Sequence, residues 1–136
     1  MRTIILDNEA VQALTDPAHR KHRVVVAHLA GVVASRRRGA QATATVPTAV
    51  RVEAGWDRSA PTAAAINRFR VSDLILNSDT ANLAAQIVAT TGVSVADAHI
   101  GSAARRSPAT EIVVLTSDPR DIVLAAAPKV VTAIRI

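Results

Sequence analysis

The chain has 136 residues, a length that suits one domain with a sizeable hydrophobic core. Lys and Arg number 16 against 11 Asp and Glu, for a formal net charge of +5, and Cys is absent. The lack of Cys excludes disulfides, thiolate metal ligands and thiol nucleophiles. Aromatic residues make up 1% of the chain, which excludes the base-stacking platforms of common RNA-binding modules.

No run approaches the roughly 20 apolar residues that span a bilayer. The N-terminus lacks the apolar core and the small-residue cleavage site of a signal peptide. We therefore expect a soluble, cytoplasmic protein that does not associate with membranes. The basic balance, carried mainly by Arg, favours a partner with phosphate groups, although a positive charge also serves solubility.

Short β-branched runs alternate with longer Ala-rich segments of helical period, a pattern typical of an α/β fold with a parallel sheet. In chain order, the predicted strands cover residues 3–6, 42–46, 74–76, 112–116 and 130–134. The predicted helices cover residues 8–14, 20–38, 48–56, 62–70, 79–91, 95–106 and 120–126. Gly39 and Gly92 lie at expected helix ends, and Pro47, Pro61 and Pro119 lie at expected helix starts.

Four acidic residues lie next to these elements. The opening stretch "TIILDNEAV" places Asp7 at the end of the first predicted strand. Glu53 and Asp118 follow the second and fourth strands, and Asp97 lies in the first turn of a predicted helix. Each acid has a structural explanation when taken singly: Asp7 and Asp118 suit N-cap positions, Asp97 forms a capping box with Ser94, and Glu53 suits a solvated helix face.

The four acids taken together favour a shared site. The carboxyl ends of parallel strands meet at one edge of a sheet, where ligands bind, so Asp7, Glu53 and Asp118 are expected on one rim. Asp97 joins them if the helix that begins near Ser94 also starts at that rim. Carboxylates that lie close together repel one another unless a cation lies among them. An all-oxygen ligand set favours Mg²⁺ or Mn²⁺ over Zn²⁺.

The histidines do not suggest a second metal site. His19, His22 and His28 lie near one another in the sequence, but a zinc site would need closer ligand spacing and a fourth partner. We therefore expect packed or solvated roles for them. His99, two residues beyond Asp97, receives no assignment.

The order of four short segments, "ILDNEA", "VRVEAG", "VADAHIGSAA" and "VLTSDPRDI", resembles the PIN-domain ribonucleases, and specifically the VapC toxins of bacterial toxin–antitoxin pairs. The likeness runs from Ile4 to Ile134. It lies in the ordered set and its intervals, since each segment alone is only an acid in a short apolar setting. The resemblance implies a three-layer αβα sandwich, a five-stranded parallel sheet in the order 3-2-1-4-5, and an acidic pocket for Mg²⁺ or Mn²⁺.

The resemblance also implies a function. Such proteins cut RNA, commonly tRNA or rRNA, usually form homodimers and are neutralised by a VapB-type antitoxin. The four family acids match Asp7, Glu53, Asp97 and Asp118. Thr116 matches the hydroxyl residue before the last acid and would orient the site without binding metal directly.

Two positions depart from, or add to, the family pattern. Relatives commonly have Thr or Ser after the first acid, where this chain has Asn8, which can still donate a hydrogen bond to a carboxylate. Asp121 follows Asp118 by three residues, so either residue suits the fourth position. We interpret Asp118 as the ligand and Asp121 as support.

In the mechanism that the resemblance implies, water attacks an RNA phosphodiester, and a bound metal ion lowers the pKa of that water and orients it. Asp7 and Asp97 are the expected principal ligands, and Glu53 and Asp118 complete the pocket directly or through water. The sequence is compatible with either one metal ion or two. Arg36, Arg37, Arg38, Arg105 and Arg106 are candidates for binding RNA, although cations at helix C-termini also complement the helix dipole.

Two other functions compete with the nuclease. The acids could serve only as helix caps in a catalytically silent interaction module of the same fold. A phosphoacceptor receiver domain also places acids and Mg²⁺ at strand ends, but it needs a Lys at the end of a late strand. The chain has only Lys21 and Lys129, and Lys129 precedes its predicted strand.

Overall fold

A computed structural model describes residues 1–136, apart from the side chain of residue 65. The five strands are β1 (Arg2–Leu6), β2 (Ala42–Pro47), β3 (Ser72–Leu74), β4 (Glu111–Thr116) and β5 (Thr132–Arg135), and all but β3 contain β-branched residues. The helices are α1 (Asn8–Thr15), α2 (His22–Arg37), α3 (Thr48–Ala54), α4 (Ala64–Arg68), α5 (Ser78–Thr91), α6 (Val95–Arg106) and α7 (Pro119–Ala126). A short 3₁₀ turn, Pro61–Ala63, precedes α4.

The strands form one parallel sheet in the order β3-β2-β1-β4-β5. The prediction of an α/β fold with this strand order is confirmed. The central strand, β1, buries Ile4, Ile5 and Leu6 completely, because helices cover both faces of the sheet. A continuous apolar run of this kind is what a strand buried on both faces requires.

Right-handed crossovers place the helices in two layers. The first two crossovers move from β1 to β2 and on to β3, so α1 to α4 lie on one face. The later crossovers run in the opposite direction along the sheet, so α5 to α7 cover the other face. The result is a three-layer sandwich. No single helix in the described chain has both the length and the apolar character to cross a membrane, and only the consecutive pair α5 and α6, bent by 119°, passes when taken together.

The third strand lies two residues earlier than the sequence suggests. The apolar run at residues 74–76 predicts a strand there, but Ile75 and Leu76 lie beyond the sheet and are exposed. The observed edge strand instead contains Asp73, whose carboxylate accepts hydrogen bonds from Arg51 and Arg58. These ion pairs hold β3 against α3 and the loop that follows it, and local hydrophobicity does not report them.

Other boundaries shift by small amounts. The fifth strand begins at Thr132 and leaves Val130 87% exposed. The long second helix begins at His22, because a turn stabilised by the His19 ring and carbonyl precedes it. Shifts of this size are ordinary at element ends.

Helix α6 packs very closely against α7. A Cβ atom added to Gly101 of α6 would lie 2.5 Å from the carbonyl oxygen of Ala125 in α7. Only Gly permits this approach, so its absent side chain sets the position of α6. The first turn of the same helix carries Asp97, and the close packing therefore also positions that carboxylate.

Candidate functional site

An acidic cavity of about 150 Å³ lies at the carboxyl ends of β1 and β4. It is bounded by the first turns of α1 and α6, by α3, and by the segment that follows β4. All four acids singled out in the sequence line it. The lining residues are Asp7, Asn8, Glu9, Val50, Glu53, Ser94, Ala96, Asp97, Ile100, Thr116, Ser117 and Asp118.

Asp7 is the most buried of these acids, with 6% of its surface exposed. One carboxylate oxygen accepts from the backbone N–H of Ala10 at 3.0 Å and so caps α1. The other accepts from the N–H of Ser117 at 3.0 Å. Burial raises the pKa of Asp7, and these two bonds together with the Thr116 hydroxyl oppose the rise. Asp7 therefore joins β1 to the segment after β4 while its carboxylate borders the cavity.

Asp97 is half-buried in the first turn of α6, where its backbone N–H donates to the Ser94 hydroxyl oxygen at 3.1 Å. Burial raises the pKa of Asp97, and a hydrogen bond with Ser94 lowers it. The negative charges of Asp121, Asp7 and Glu53 raise this pKa further. Asp97 is thus electrostatically coupled to acids from three other parts of the chain.

Glu53 is exposed on α3, and its carboxylate is held by Asn8. The Asn8 amide nitrogen donates to Glu53 Oε1 at 2.9 Å. The other end of the same amide accepts from Gln12 Nε2, also at 2.9 Å. Asn8 therefore uses both ends of its side chain and orients Glu53 toward the cavity.

Asp118 follows β4 and is the N-cap residue of α7, since Oδ1 accepts from the N–H of Asp121 at 3.4 Å. Its own N–H donates to the Thr116 hydroxyl oxygen at 2.9 Å. Thr116 is buried and thus orders the segment that carries Asp118 while also bonding to Asp7. Asp121 does not line the cavity, and it acts on Asp97 through its charge.

The donor atoms around the cavity fit a hard divalent cation in their chemistry, because they are carboxylate, amide and hydroxyl oxygens. Among the described residues, however, no group of three His, Cys, Asp or Glu side chains is arranged to bind one ion directly. Both oxygens of Asp7 are already bound by backbone N–H groups. Ligation of Mg²⁺ or Mn²⁺ here would therefore be completed by water, which Mg²⁺ usually retains.

Three basic side chains lie at the mouth of the cavity, where the sequence did not predict them. Lys21 and His19 lie 3.1 and 3.5 Å from Glu9, which lines the cavity. Arg135 donates to the carbonyl oxygen of Ser117 at 3.0 Å. The fold brings these groups together from distant positions, so sequence spacing carries no signal for them.

The five arginines proposed from the sequence for RNA binding lie away from the cavity. Helices that follow parallel strands run back toward the strands' amino ends, so the last turns of α2 and α6 lie at the opposite edge of the sheet. Arg36 Nε donates to the carbonyl oxygen of Ala42, the first residue of β2, at 2.7 Å. Arg105 donates to Ala125, and Arg106 lies 4.0 Å from Asp79. The two edges are about 17 Å apart along β2, because its six residues span five steps of roughly 3.3 Å each.

His99 is fully buried and neutral. Its Nδ1 accepts from the N–H of Ala49 at 3.3 Å, which ties α6 to the start of α3. Burial lowers the pKa of His99 to about 4. Its Nε2 has no hydrogen-bond partner among the described residues. Although His99 is near Asp97 in the sequence, it lines a separate cavity of about 280 Å³ and not the acidic one.

Comparison with known proteins identifies no family for the chain. The chain matches no family model, and no curated protein matches it. The interpretation of the acidic cavity therefore depends on the chemistry and geometry of its own residues.

Proposed function

We propose that this protein is a metal-dependent endoribonuclease of the PIN-domain type, similar to the VapC toxins. The observation that carries the proposal is that Asp7, Glu53, Asp97 and Asp118 line one cavity at the carboxyl edge of a parallel sheet. They come from four separate segments, in the order expected for that family. N-capping alone gives no reason for four carboxylates to converge.

The electrostatics of the cavity support a cation there. The pKa of Asp97 is raised by the charges of three other acids as well as by burial, so the metal-free arrangement is unfavourable at neutral pH. A divalent cation would offset this repulsion. The oxygen donors favour Mg²⁺ or Mn²⁺.

In this proposal, Asp7, Asp97 and Asp118 hold the cation, partly through water, and Glu53 completes the pocket. When bound, the metal would lower the pKa of the attacking water and neutralise charge on the phosphate. Asn8 keeps Glu53 in place, and Thr116 orders the segments of Asp7 and Asp118. Both are positioning residues, since their hydrogen bonds go to other side chains and to backbone.

The partners are proposed from the resemblance. They are RNA, with tRNA or rRNA as the expected targets, a VapB-type antitoxin, and a second copy of the chain in a homodimer in the cytoplasm. The formal net charge of +5 is consistent with a polyanionic substrate. It would attract RNA toward a protein whose proposed catalytic pocket is itself acidic.

One observation favours the silent interaction module: Asp7 and Asp118 do serve as N-caps, of α1 and α7. An N-capping role does not account for Glu53, which lies in the last turn of α3. The receiver domain has less support, because Lys129 donates to the carbonyl oxygen of Ser107 at the far end of α6. That lysine is therefore remote from the acidic cavity.

The experiment that tests the proposal is RNA cleavage by the wild type and by Asp97→Asn, in Mn²⁺ and in chelator. The matched control is Asp79→Asn, which also changes a first-turn Asp, but one that is 76% exposed on α5. We expect cleavage by the wild type and the control in Mn²⁺ only. Equal cleavage by wild type and Asp97→Asn would overturn the assignment.

A further inference from the structure

A second polar surface lies at the opposite edge of the sheet from the acidic cavity. Two adjoining cavities, of about 320 and 380 Å³, share Val33, Arg37 and Phe69. They lie between the last turn of α2 and the segment around α4. We call the surface around them the arginine cleft and define it by Arg36, Arg37, Arg38, Arg68 and Arg70, with Phe69 at its base.

The positive charge of the arginine cleft is uncompensated within the described residues. The ion pairs of the described residues all involve residues outside the cleft, and none of their carboxylates lies within 4.0 Å of the five guanidinium groups. Like charges held close together repel one another. The chain keeps five such groups on one surface while its acids lie elsewhere, so the cleft is suited to an anionic partner.

Two of the arginines are held in place by the backbone. Arg36 is half-buried, and its Nε bond to Ala42 fixes the guanidinium at the amino end of β2. Arg70 has a φ of 54°, the left-handed conformation, which is strained for a residue with a Cβ. The chain adopts this conformation where Arg70 lines the cleft, immediately before Val71.

The chemistry of the cleft fits phosphate groups. The guanidinium group is a planar fork of donors that matches phosphate, and five of them suit several phosphates better than one. Among the described residues that line the cleft, the only aromatic side chain is Phe69, which is partly buried against the core, so the cleft has no row of rings on which successive bases could stack. A ligand here would be bound by its backbone and with little dependence on sequence.

We infer that the arginine cleft binds the ribose-phosphate backbone of RNA, remote from the bond that is cut. The choice of RNA over an acidic peptide rests on the proposed function, in which RNA is the substrate. Because the cleft and the acidic cavity lie at opposite edges of the sheet, one long RNA would contact both, whereas a short one would reach only one of them. The cleft therefore contributes to affinity and leaves the chemical step unchanged.

The test measures RNA binding in chelator, where the proposed nuclease is inactive. The measured affinity is therefore independent of whether the protein cleaves RNA. The probe is a fluorescein-labelled oligouridine of about 20 nucleotides, longer than a typical single-strand binding site. The variant Arg37→Ala with Arg68→Ala removes two exposed cleft charges. The matched control, Arg23→Ala with Arg106→Ala, removes two exposed charges from outside the cleft.

We expect the cleft variant to bind about tenfold more weakly near physiological salt, and its dependence of log K on log salt to be shallower by about 1.4, two contacts at roughly 0.7 each. The control should keep the wild-type slope. Equal weakening by both double variants would show that only net charge matters and would overturn the inference. The inference also fails if the cleft variant binds the RNA normally and loses affinity for polyglutamate instead.

A single substitution separates binding from folding. Arg70→Gly removes a cleft charge and also relieves the left-handed strain. We expect weaker RNA binding together with an equal or higher free energy of unfolding. A variant that binds RNA like the wild type would contradict the role of Arg70.

Discussion

Asn8 donates a 2.9 Å hydrogen bond to Glu53, a residue 45 positions further along the chain. The bond joins the first turn of α1 to α3 across the acidic cavity. It gives a function to the position at which this chain departs from the Thr or Ser expected after the first acid. The departure preserves a donor to a carboxylate, although through a longer side chain.

The first prediction concerns this bond. Asn8→Ala should release Glu53 and lower metal-dependent RNA cleavage by about 10- to 100-fold, the usual effect of losing a group that orients a residue of a metal site. Gln12→Ala is the control, since it removes the other bond of Asn8 and leaves the bond to Glu53. Initial cleavage rates measure both variants. If Asn8→Ala cleaved RNA at the wild-type rate, the orientation of Glu53 by Asn8 would not matter for cleavage.

The second prediction concerns the stability of the metal-free protein. Because burial and three neighbouring acids raise the pKa of Asp97, the folded state binds its proton more tightly than the unfolded state does. Wild-type stability should therefore fall as pH rises from the ordinary Asp pKa of 3.8 through the raised value. Asp97→Asn should be more stable by about 0.5 to 2 kcal/mol at pH 7.

The same physical argument predicts how the stability difference between Asp97→Asn and the wild type depends on pH. Below pH 3.8 the wild-type carboxyl is protonated in both states, and the stability gain of Asp97→Asn should disappear. Urea denaturation in chelator at several pH values measures the free energy of unfolding of both proteins. A gain that stays constant across this range would show that its origin is not the titration of Asp97.

The third prediction concerns His99. Its pKa of about 4, against an ordinary value of 6.5, means that the unfolded chain takes up the proton first on acidification. Stability should therefore be lost as pH falls from 6.5 to about 4, by roughly 3 kcal/mol in all from this group. Asp7 and Asp97 act in the opposite direction, so the comparison of wild type with His99→Gln isolates the histidine. If the free energy of unfolding of the two proteins changed in parallel with pH, the predicted contribution of His99 would be contradicted.

The fourth prediction concerns helix packing. Gly101→Ala would place a Cβ 2.5 Å from the Ala125 carbonyl oxygen, and α6 must move away from α7. We expect a loss of about 1 to 3 kcal/mol, with weaker cleavage because Asp97 moves with the helix. Gly31→Ala in α2 is the control: it meets no atom within 4 Å and should gain up to about 1 kcal/mol from helix propensity. Urea denaturation compares them, and equal stability of the two variants would contradict the packing argument.

The sequence correctly predicts the strands and helix ends that depend on local residue patterns. The run from Thr3 to Leu6 is a strand with almost the predicted bounds, and Gly92 ends α5 with the expected left-handed conformation. The third strand was misplaced because Ile75 and Leu76 resemble a strand more than Ser72 and Asp73 do. The ion pairs of Asp73 with Arg51 and Arg58 span 22 and 15 residues, and no local pattern reports them.

The residues of the candidate site were likewise predicted only where the sequence carries a signal for them. Its acids were found because strand ends are visible in the sequence and parallel strands share an edge. Lys21 and Arg135 were missed because their partners, Glu9 and Ser117, come close only after folding. Arg37 was proposed for RNA binding through its charge alone, and the direction of α2 places it at the edge opposite the acidic cavity.

The most direct test of the central claim is the melting temperature of the protein with and without Mn²⁺. A cation bound by the acidic cavity at 100 times its dissociation constant adds about 2.7 kcal/mol, a rise on the order of 10 °C. We expect this rise for the wild type and for Asp79→Asn, and little or none for Asp97→Asn. No rise in the wild type, or the same rise in Asp97→Asn, would contradict the claim that these carboxylates together hold a divalent cation.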